Sequence, residues 1–464
     1  MEMPRALSPL LMDALRHKVG PDVEILTDPH QPRFQEYARR WSDVDRKTPG
    51  AMILPETEDQ IQKTVQWAVT SSIPFVAKSG GHSNWSTLGW DGVVVDLSKY
   101  SGMEVEEQTM TARLWGSIHT RDIAVELAER GYFTAVSTGD IGAIPYFLNG
   151  GISTTNSLTG YGSDQIVAAR MIDATGQLVE VTEDANPDLL YAIRGAGQFF
   201  GLITQLTIRI WPLSHLGNNQ GCLWTGNFVF PFSMASQVAE AMQVIVNDAS
   251  RATSGLILAI CPPPTREPAV MVLARYTGDT DHGELAFQSL YALGPLMADG
   301  RAVAIQNIGH GSEPLQAKGG FRMFATVGLR RFDTESYLKT IDVWRRLVTE
   351  CPDAVDTTFN FQWDSKPPRR PGFESANSLG HVHFWQNNVI WYTNAENSQR
   401  VAELNAECIA LARGPDESDF VDYANATRSE PIERRFRGQD KLEKLRALKR
   451  KWDPTGVFTR QLLD

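Results

Sequence analysis

Lys78-Ser79-Gly80-Gly81-His82-Ser83, read together with Leu148-Asn149-Gly150-Gly151-Ile152, decides how the rest of this sequence is interpreted. Each stretch sets two adjacent glycines beside an apolar run, so backbone can approach a bulky partner where side chains would collide. His82 is the group in the first stretch suited to act as a nucleophile or ligand at neutral pH. Neither stretch has the glycine and lysine spacing of a dinucleotide or nucleoside-triphosphate phosphate loop. Upstream, Pro74-Phe75-Val76-Ala77 reads as a short buried strand feeding the turn. Downstream, the continuous apolar run over 92–97 reads as a strand buried on both faces.

At 464 residues the chain is too long for one ordinary core, and two or three domains are expected. Its 44 Lys plus Arg stand against 55 Asp plus Glu, a net charge of -11, with no basic block. That excludes the positive footprint a nucleic-acid partner needs. No apolar run has membrane-spanning length, and the start reads as a short helix over 9–16 rather than a secretion signal. A cytoplasmic or other intracellular protein with no membrane partner is expected. Cys222, Cys261, Cys351 and Cys408 are far apart without paired spacing, so neither a disulfide scaffold nor a zinc site is indicated.

Working outward, 21–50 reads as a proline-rich entry arm with a helix around 34–41. Thr57 before Glu58-Asp59-Gln60 marks a helix start, and Ile61, Val65, Trp67 and Ala68 give that helix an apolar side. Arg113-Leu114-Trp115-Gly116 reads as an edge strand, 119–129 as an amphipathic helix, and 133–137 as strand-like. Asp173-Ala174-Thr175-Gly176 makes a hairpin turn. Asn186-Pro187-Asp188 caps a helix running into Arg194-Gly195-Ala196-Gly197, and Leu206, Ile208 and Ile210 alternate along a strand that stops at Pro212. Composition shifts there. Beyond it we read helices over 234–248, 285–292 and 335–348, strands over 256–260, 269–274, 324–329 and 382–385, and a connection over 294–311. This pattern describes a second α+β unit, an antiparallel sheet backed by helices. A charged helix over 440–452 ends at Asp453-Pro454.

Several of these segments, in this order, carry a specific resemblance: Ser79-Gly80-Gly81-His82-Ser83, Asp96-Leu97, Gly150-Gly151, Asp164, Arg194-Gly195-Ala196-Gly197 with Gly201, and Lys451-Trp452-Asp453-Pro454 through Phe458. They resemble the berberine-bridge-like branch of the vanillyl-alcohol-oxidase type, the PCMH-type FAD-linked oxidoreductases. The resemblance implies an α+β fold in two parts. It comprises an N-terminal arm (1–45), an FAD-binding domain (46–213), an inserted substrate-binding domain (214–415) and a C-terminal segment returning to the FAD-binding domain (416–464).

It also implies FAD, wrapped by Ser79, Gly80, Gly81 and Ser83, with Gly142, Gly150, Gly151 and Asn425 in the cofactor-binding set. His82 stands where the family commonly links its flavin, and such a link raises the flavin's reduction potential. Many relatives add a second bond from a cysteine. Thr138 occupies that position and cannot form a thioether, so a single covalent attachment is expected. Asp164 and Arg194 are expected to organise turns.

The family's activity implies hydride transfer from a substrate C–H bond to flavin N5, with dioxygen as the acceptor from reduced flavin. As base, Tyr423 is the first choice and His383 the second, the latter with the more suitable reference pKa. His381 and His383 share one side of a strand but lack the partners of a metal site. Trp385, Trp391, Tyr392, Phe321 and Phe361 are aromatic candidates for either pocket or core. The leading reading is oxidation of a small organic molecule in specialised metabolism. A carbohydrate oxidase, a flavin-dependent cyclase without net oxidation and an inactive flavin-binding scaffold stand as alternatives, and oligomeric state is left open.

Overall fold

The computed structural model describes residues 7–83, 86–312, 316–423 and 431–463. A four-stranded sheet comes first, in the order Glu24–Leu26, Ala51–Leu54, Val93–Asp96, Phe75–Lys78. Its last three strands are parallel, and the connection from Ala51–Leu54 runs through the helix Glu58–Thr70. Thr57 starts that helix with a capping box: its side chain accepts from the Gln60 amide while Gln60 reaches back to the Thr57 amide. All four residues of Val93–Asp96 are buried. Val95 packs on Ile61 and Val65 on one face, and Val94 packs on Met52 and Leu54 on the other. Burial on both faces is why this strand shows no polar alternation.

A five-stranded antiparallel sheet follows, in the order Ser101–Glu106, Thr111–Gly116, Leu202–Arg209, Ile166–Ile172, Leu178–Val181. The hairpin at Asp173 forms because its carboxylate accepts from the Thr175 and Gln177 amides, at 2.8 and 2.9 Å. Thr111–Gly116 is not the edge strand the sequence suggested, since it pairs on both sides. Of 133–137 only Phe133 is in a strand, as the end of Tyr132–Phe133, which pairs with Trp211–Pro212. The helix Pro187–Ala196 breaks at Arg194 and Gly195. There Arg194 Nε donates to the Ile166 carbonyl at 2.9 Å, while the Asp164 carboxylate accepts the Tyr161 amide at 2.9 Å. Both side chains hold turns in place.

The third sheet has eight strands, all antiparallel, in the order Met297–Ala304, Cys222–Pro231, Ala269–Tyr276, Thr253–Ile260, Thr358–Asp364, Phe384–Tyr392, Phe321–Leu329, Phe420–Asp422. Helices Ala235–Asn247, Thr334–Glu350 and Ser398–Arg413 cover one face. Thr334–Glu350 buries Tyr337, Ile341, Trp344 and Leu347, a helical stripe, and the Trp344 indole donates to the Thr357 carbonyl at 2.8 Å. The expected connection over 294–311 contains the strand Met297–Ala304. That strand lies at the sheet edge, mostly exposed and composed largely of small and polar residues, so it carries no periodic apolar signal.

The chain then returns to the first half. Leu442, Leu445 and Leu448 of the helix Gln439–Trp452 join the core formed by Leu189, Ile193 and Phe199. Lys449 is fully buried there; its ammonium donates to Asp453 Oδ2 and to the Phe199 carbonyl, both at 2.6 Å. Asp453 in turn accepts from the Val457 and Phe458 amides. Among the described residues no helix is long and apolar enough to cross a membrane.

Candidate active site

The first glycine turn follows Lys78, which is buried with its ammonium 2.7 Å from Asp96 Oδ2. Beyond it the backbone of Ser79 and Gly80 comes against Gly142. A Cβ on Gly80 would lie 2.8 Å from the Gly142 nitrogen, and one on Gly142 would lie 2.9 Å from the Gly80 nitrogen. Only glycine permits that approach. The 139–143 segment is fixed by Thr120, whose hydroxyl donates to the Gly139 carbonyl at 2.6 Å, and by the Ala143 amide, which donates to the Ile118 carbonyl at 2.9 Å. The Gly81 carbonyl accepts from the Trp41 amide at 3.2 Å, and the Ser83 carbonyl accepts from Ser86.

His82 leaves this turn with its ring stacked on Trp41, centroids 5.9 Å apart. Neither of its buried ring nitrogens meets a partner at full hydrogen-bond distance among the described residues, and the Gln316 side chain is the polar neighbour that favours the charged form. Burial, helped by the neighbouring His119, pulls its pKa down to about 4, so the imidazole is neutral with a lone pair to offer. His119 sits beside it with Nδ1 2.9 Å from Asp140 Oδ1; that bond raises the His119 pKa and lowers that of Asp140. Neither Trp41 nor His119 stood out in the sequence, because each is a single residue without a local pattern.

The second glycine turn meets the eight-stranded sheet on the face opposite its helices. Gly150 and Gly151 have φ of +112° and +72°. A Cβ on Gly150 would lie 2.8 Å from Leu379 Cδ1, and one on Gly151 2.8 Å from Gly162 Cα. The Gly151 amide donates to the Tyr423 hydroxyl at 3.1 Å. Tyr423 packs edge-on to Trp385 at 6.0 Å, and Tyr161, Leu379, Val382 and Val421 complete a small core. Burial pushes the Tyr423 phenol up to about 12 against the opposing pull of the Gly151 amide, so it is a neutral phenol at physiological pH.

His383 precedes the strand Phe384–Tyr392 and, by alternation, faces the same way as Trp385. Its Nδ1 lies 2.7 Å from the Asp364 carbonyl and therefore carries the proton, leaving Nε2 as an acceptor. Burial lowers its pKa. The Asp364 carboxyl is buried and pushed up to about 8. Among the aromatic candidates, Tyr392, Phe361 and Phe321 belong to or pack on the helix-side core, whereas Trp385 faces the glycine turn and Trp391 lies under the Arg322 guanidinium. Asn425 lies outside the described residues.

These features fit FAD. The close backbone approach of Ser79-Gly80 to Gly142, with the buried imidazole of His82 next to it, suits a flat ring system and a pyrophosphate, whose oxygens backbone amides can satisfy. Ser79, Gly80, Gly81, Ser83, Gly142, Gly150 and Gly151 are the residues that would hold it. The buried imidazole of His82 beside them is the group that would touch it. All four cysteines lie far from these turns in sequence, and Cys261, Cys351 and Cys408 are in the helix-side core.

The fold is bipartite and α+β: one part carries both glycine turns, and the other is a separate eight-stranded antiparallel sheet backed by helices. The sequence profile of a family described as FAD binding domain matches residues 49–182. The FAD-linked oxidoreductase hasG of Aspergillus fumigatus is 27% identical over 442 residues, covering 90% of this chain and 92% of its own. In fold, the BBE-like 1 protein of Physcomitrella patens matches with a TM-score of 0.83 at 17% identity, covering 98% of this chain and 99% of that one. Glucooligosaccharide oxidase from Acremonium strictum, described with a 6-S-cysteinyl, 8α-N1-histidyl FAD, matches with a TM-score of 0.79 at 18% identity over 97% of this chain and 98% of that one. Over nearly its whole length the chain is thus similar to FAD-linked oxidoreductases, and it shares the fold of berberine-bridge-like proteins. It is a flavin-dependent enzyme acting on a small organic substrate.

Proposed function

We propose that this enzyme oxidises a hydroxyl- or amine-bearing small molecule of specialised metabolism, with FAD attached through His82 alone and dioxygen as electron acceptor. When bound, FAD would supply a hydride acceptor whose two electrons dioxygen could take up with two protons as hydrogen peroxide. The observation that carries the reading is His82: a buried, neutral imidazole with neither nitrogen in a hydrogen bond of full length among the described residues, beside a turn built for close backbone approach. Thr138 offers no thiol for a second bond. Full-length likeness to fungal FAD-linked oxidoreductases supports the metabolic setting.

The protein's own part is to bind, orient and move one proton. The substrate loses a hydride from carbon and a proton from oxygen or nitrogen, a two-electron oxidation. His383 suits the proton better than Tyr423. Its Nε2 is an open acceptor on a neutral ring at pH 7, whereas Tyr423 would have to ionise against a pKa of about 12. Tyr423, held by the Gly151 amide, suits positioning and water exclusion.

The test is acid denaturation of purified protein followed by peptide mapping by mass spectrometry. Yellow colour retained on a peptide containing His82 is the expected result. Complete release of FAD would sink the covalent link, and absence of flavin from well-folded protein would sink the oxidase reading.

A further inference from the structure

The strand Met297–Ala304 ends the eight-stranded sheet on one side, and among the described residues it pairs with Cys222–Pro231 alone. The opposite edge, Phe420–Asp422, is three residues long and wholly buried. Met297–Ala304 runs for eight residues without proline or lysine, keeps one register throughout, and is exposed from Met297 to Ala302. An open edge of that length offers a row of main-chain groups for pairing, and proteins ordinarily guard it by shortening it, bulging it, or placing proline or lysine on it. This edge has none of those guards.

The outward groups follow from the register. The Ile305 amide donates to the Gly221 carbonyl at 3.0 Å, one step beyond the pair Ala304 and Cys222. Bonded pairs alternate along an antiparallel ladder, so Val303, Arg301 and Asp299 turn their amides and carbonyls toward Cys222–Pro231, while Ala302, Gly300 and Ala298 turn theirs to solvent. Ala298 opposes Phe228 of the helix-side core, which puts Met297, Asp299, Arg301 and Val303 together on the other face. Arg301 and Asp299 are 70% and 50% exposed there, 3.9 Å apart.

Set antiparallel to a second copy about a two-fold axis at Gly300, this strand matches at every position. Gly300 meets the partner's Gly300 and Ala298 the partner's Ala302, and these are the pairs whose outward main-chain groups exchange hydrogen bonds. Asp299 meets the partner's Arg301, and Met297 the partner's Val303, in the intervening pairs, where side chains approach most closely. An axis moved by one residue, onto Asp299 or onto Arg301, would set like charges against each other. A pairing slipped by one residue would face outward groups with inward ones. Leu296 and Met297, at 72% and 45% exposure, gain apolar cover in the same arrangement.

We propose that Met297–Ala304 is the interface of a homodimer, in which a second copy adds its own Met297–Ala304 antiparallel and the two eight-stranded sheets run on as one. The charge pattern selects this occupant, because it is complementary to itself about one axis. The proposal concerns the sheet edge and stands apart from the oxidase reading.

The test is sedimentation velocity of the purified holoenzyme at low salt, from about 1 to 100 μM, a range that brackets micromolar association. Wild type should sediment at twice the mass of one chain. Asp299→Arg and Arg301→Asp each set like charges opposite each other twice, and each should raise the dimer Kd about 10-fold or more. An equimolar mixture of the two should recover association, since every arginine then faces an aspartate across the axis. Ala302→Pro removes one outward amide and should also weaken the dimer. Flavin absorbance per chain and melting temperature check folding; both charge positions are exposed, so those variants should match wild type and decide the question even if Ala302→Pro does not fold.

A monomer at every concentration overturns the proposal. So does a dimer that both charge variants leave intact, which would place the interface elsewhere, or assembly growing beyond the dimer. Weakened single variants whose mixture stays monomeric overturn the pairing about Gly300.

Discussion

Gly142→Ala tests the close approach of the 139–143 segment to the Ser79-Gly80 turn. Gly142 has φ of -60° and ψ of 121°, which alanine adopts freely, so backbone strain plays no part. The added Cβ would lie 2.3 Å from Ser79 Oγ and 2.9 Å from the Gly80 nitrogen. The hydroxyl can rotate away; the backbone nitrogen cannot without moving the turn that carries His82. Overpacking of this kind costs about 1–3 kcal/mol. Replacing glycine by alanine also restricts the unfolded chain, a gain of about 0.4–1 kcal/mol, which is the smaller effect. The variant should therefore melt about 2–6 °C lower and carry less flavin per chain. Ser79→Ala in the same chain should give only partial rescue, because it removes the hydroxyl contact and leaves the nitrogen. Gly380→Ala is the control, with nothing within 4 Å of its Cβ. The assay is flavin absorbance per mole of protein alongside a thermal melt. Wild-type flavin content and melting temperature in Gly142→Ala would show that this close approach does not shape the cofactor site.

Three further outcomes are expected. His383→Gln should lower the rate of anaerobic flavin reduction by about 100-fold or more and abolish its acid limb below pH 6.5, while Tyr423→Phe keeps that limb; stopped-flow traces against pH decide between them. His119 has its pKa raised above 6.5 by Asp140, so its contribution to stability is complete below that pH and lost as pH rises through the raised value. Melting of His119→Gln should fall less than wild type between pH 6 and 8. Lys449→Met leaves Asp453 buried without its cation and should cost about 3–5 kcal/mol, visible as a lower denaturant midpoint with unchanged slope.

How much of this was legible in sequence depended on whether the signal was local. Thr57 and Gln60 announced a helix start and formed a capping box, and Asp173 announced a hairpin it does cap. Strands with no local signal were missed. Cys222–Pro231 is interrupted by Thr225, Gly226 and Asn227, and Met297–Ala304 has an exposed face on nearly every residue, so neither shows a clean two-residue period. The helix Ser398–Arg413 was missed for another reason. Its apolar positions Val401, Leu404, Cys408 and Ile409 are spaced correctly but separated by charge and small residues, and what holds it is the sheet beneath, including Asn405 accepting from Asn388 Nδ2 at 2.8 Å.

The site divides along the same line. Ser79-Gly80-Gly81-His82 was visible because its peculiarity, glycines abutting a histidine, is contiguous. What gives His82 its character is not: Trp41 and His119 arrive from segments on either side, and the burial that keeps the imidazole neutral is a property of their packing. The contact from Gly151 to Tyr423 joins residues that only the seating of the eight-stranded sheet on the second glycine turn brings together. The alignment of Thr326, Asn387 and Asn360, opposed on three adjacent strands of the eight-stranded sheet, is harder still, since it exists only once strand register is set, and a slip of one residue on any strand would turn its member to the helix side. Sequence therefore reports where backbone must pass close to a partner, while which side chains share a sheet face is decided by register and becomes visible only in the fold.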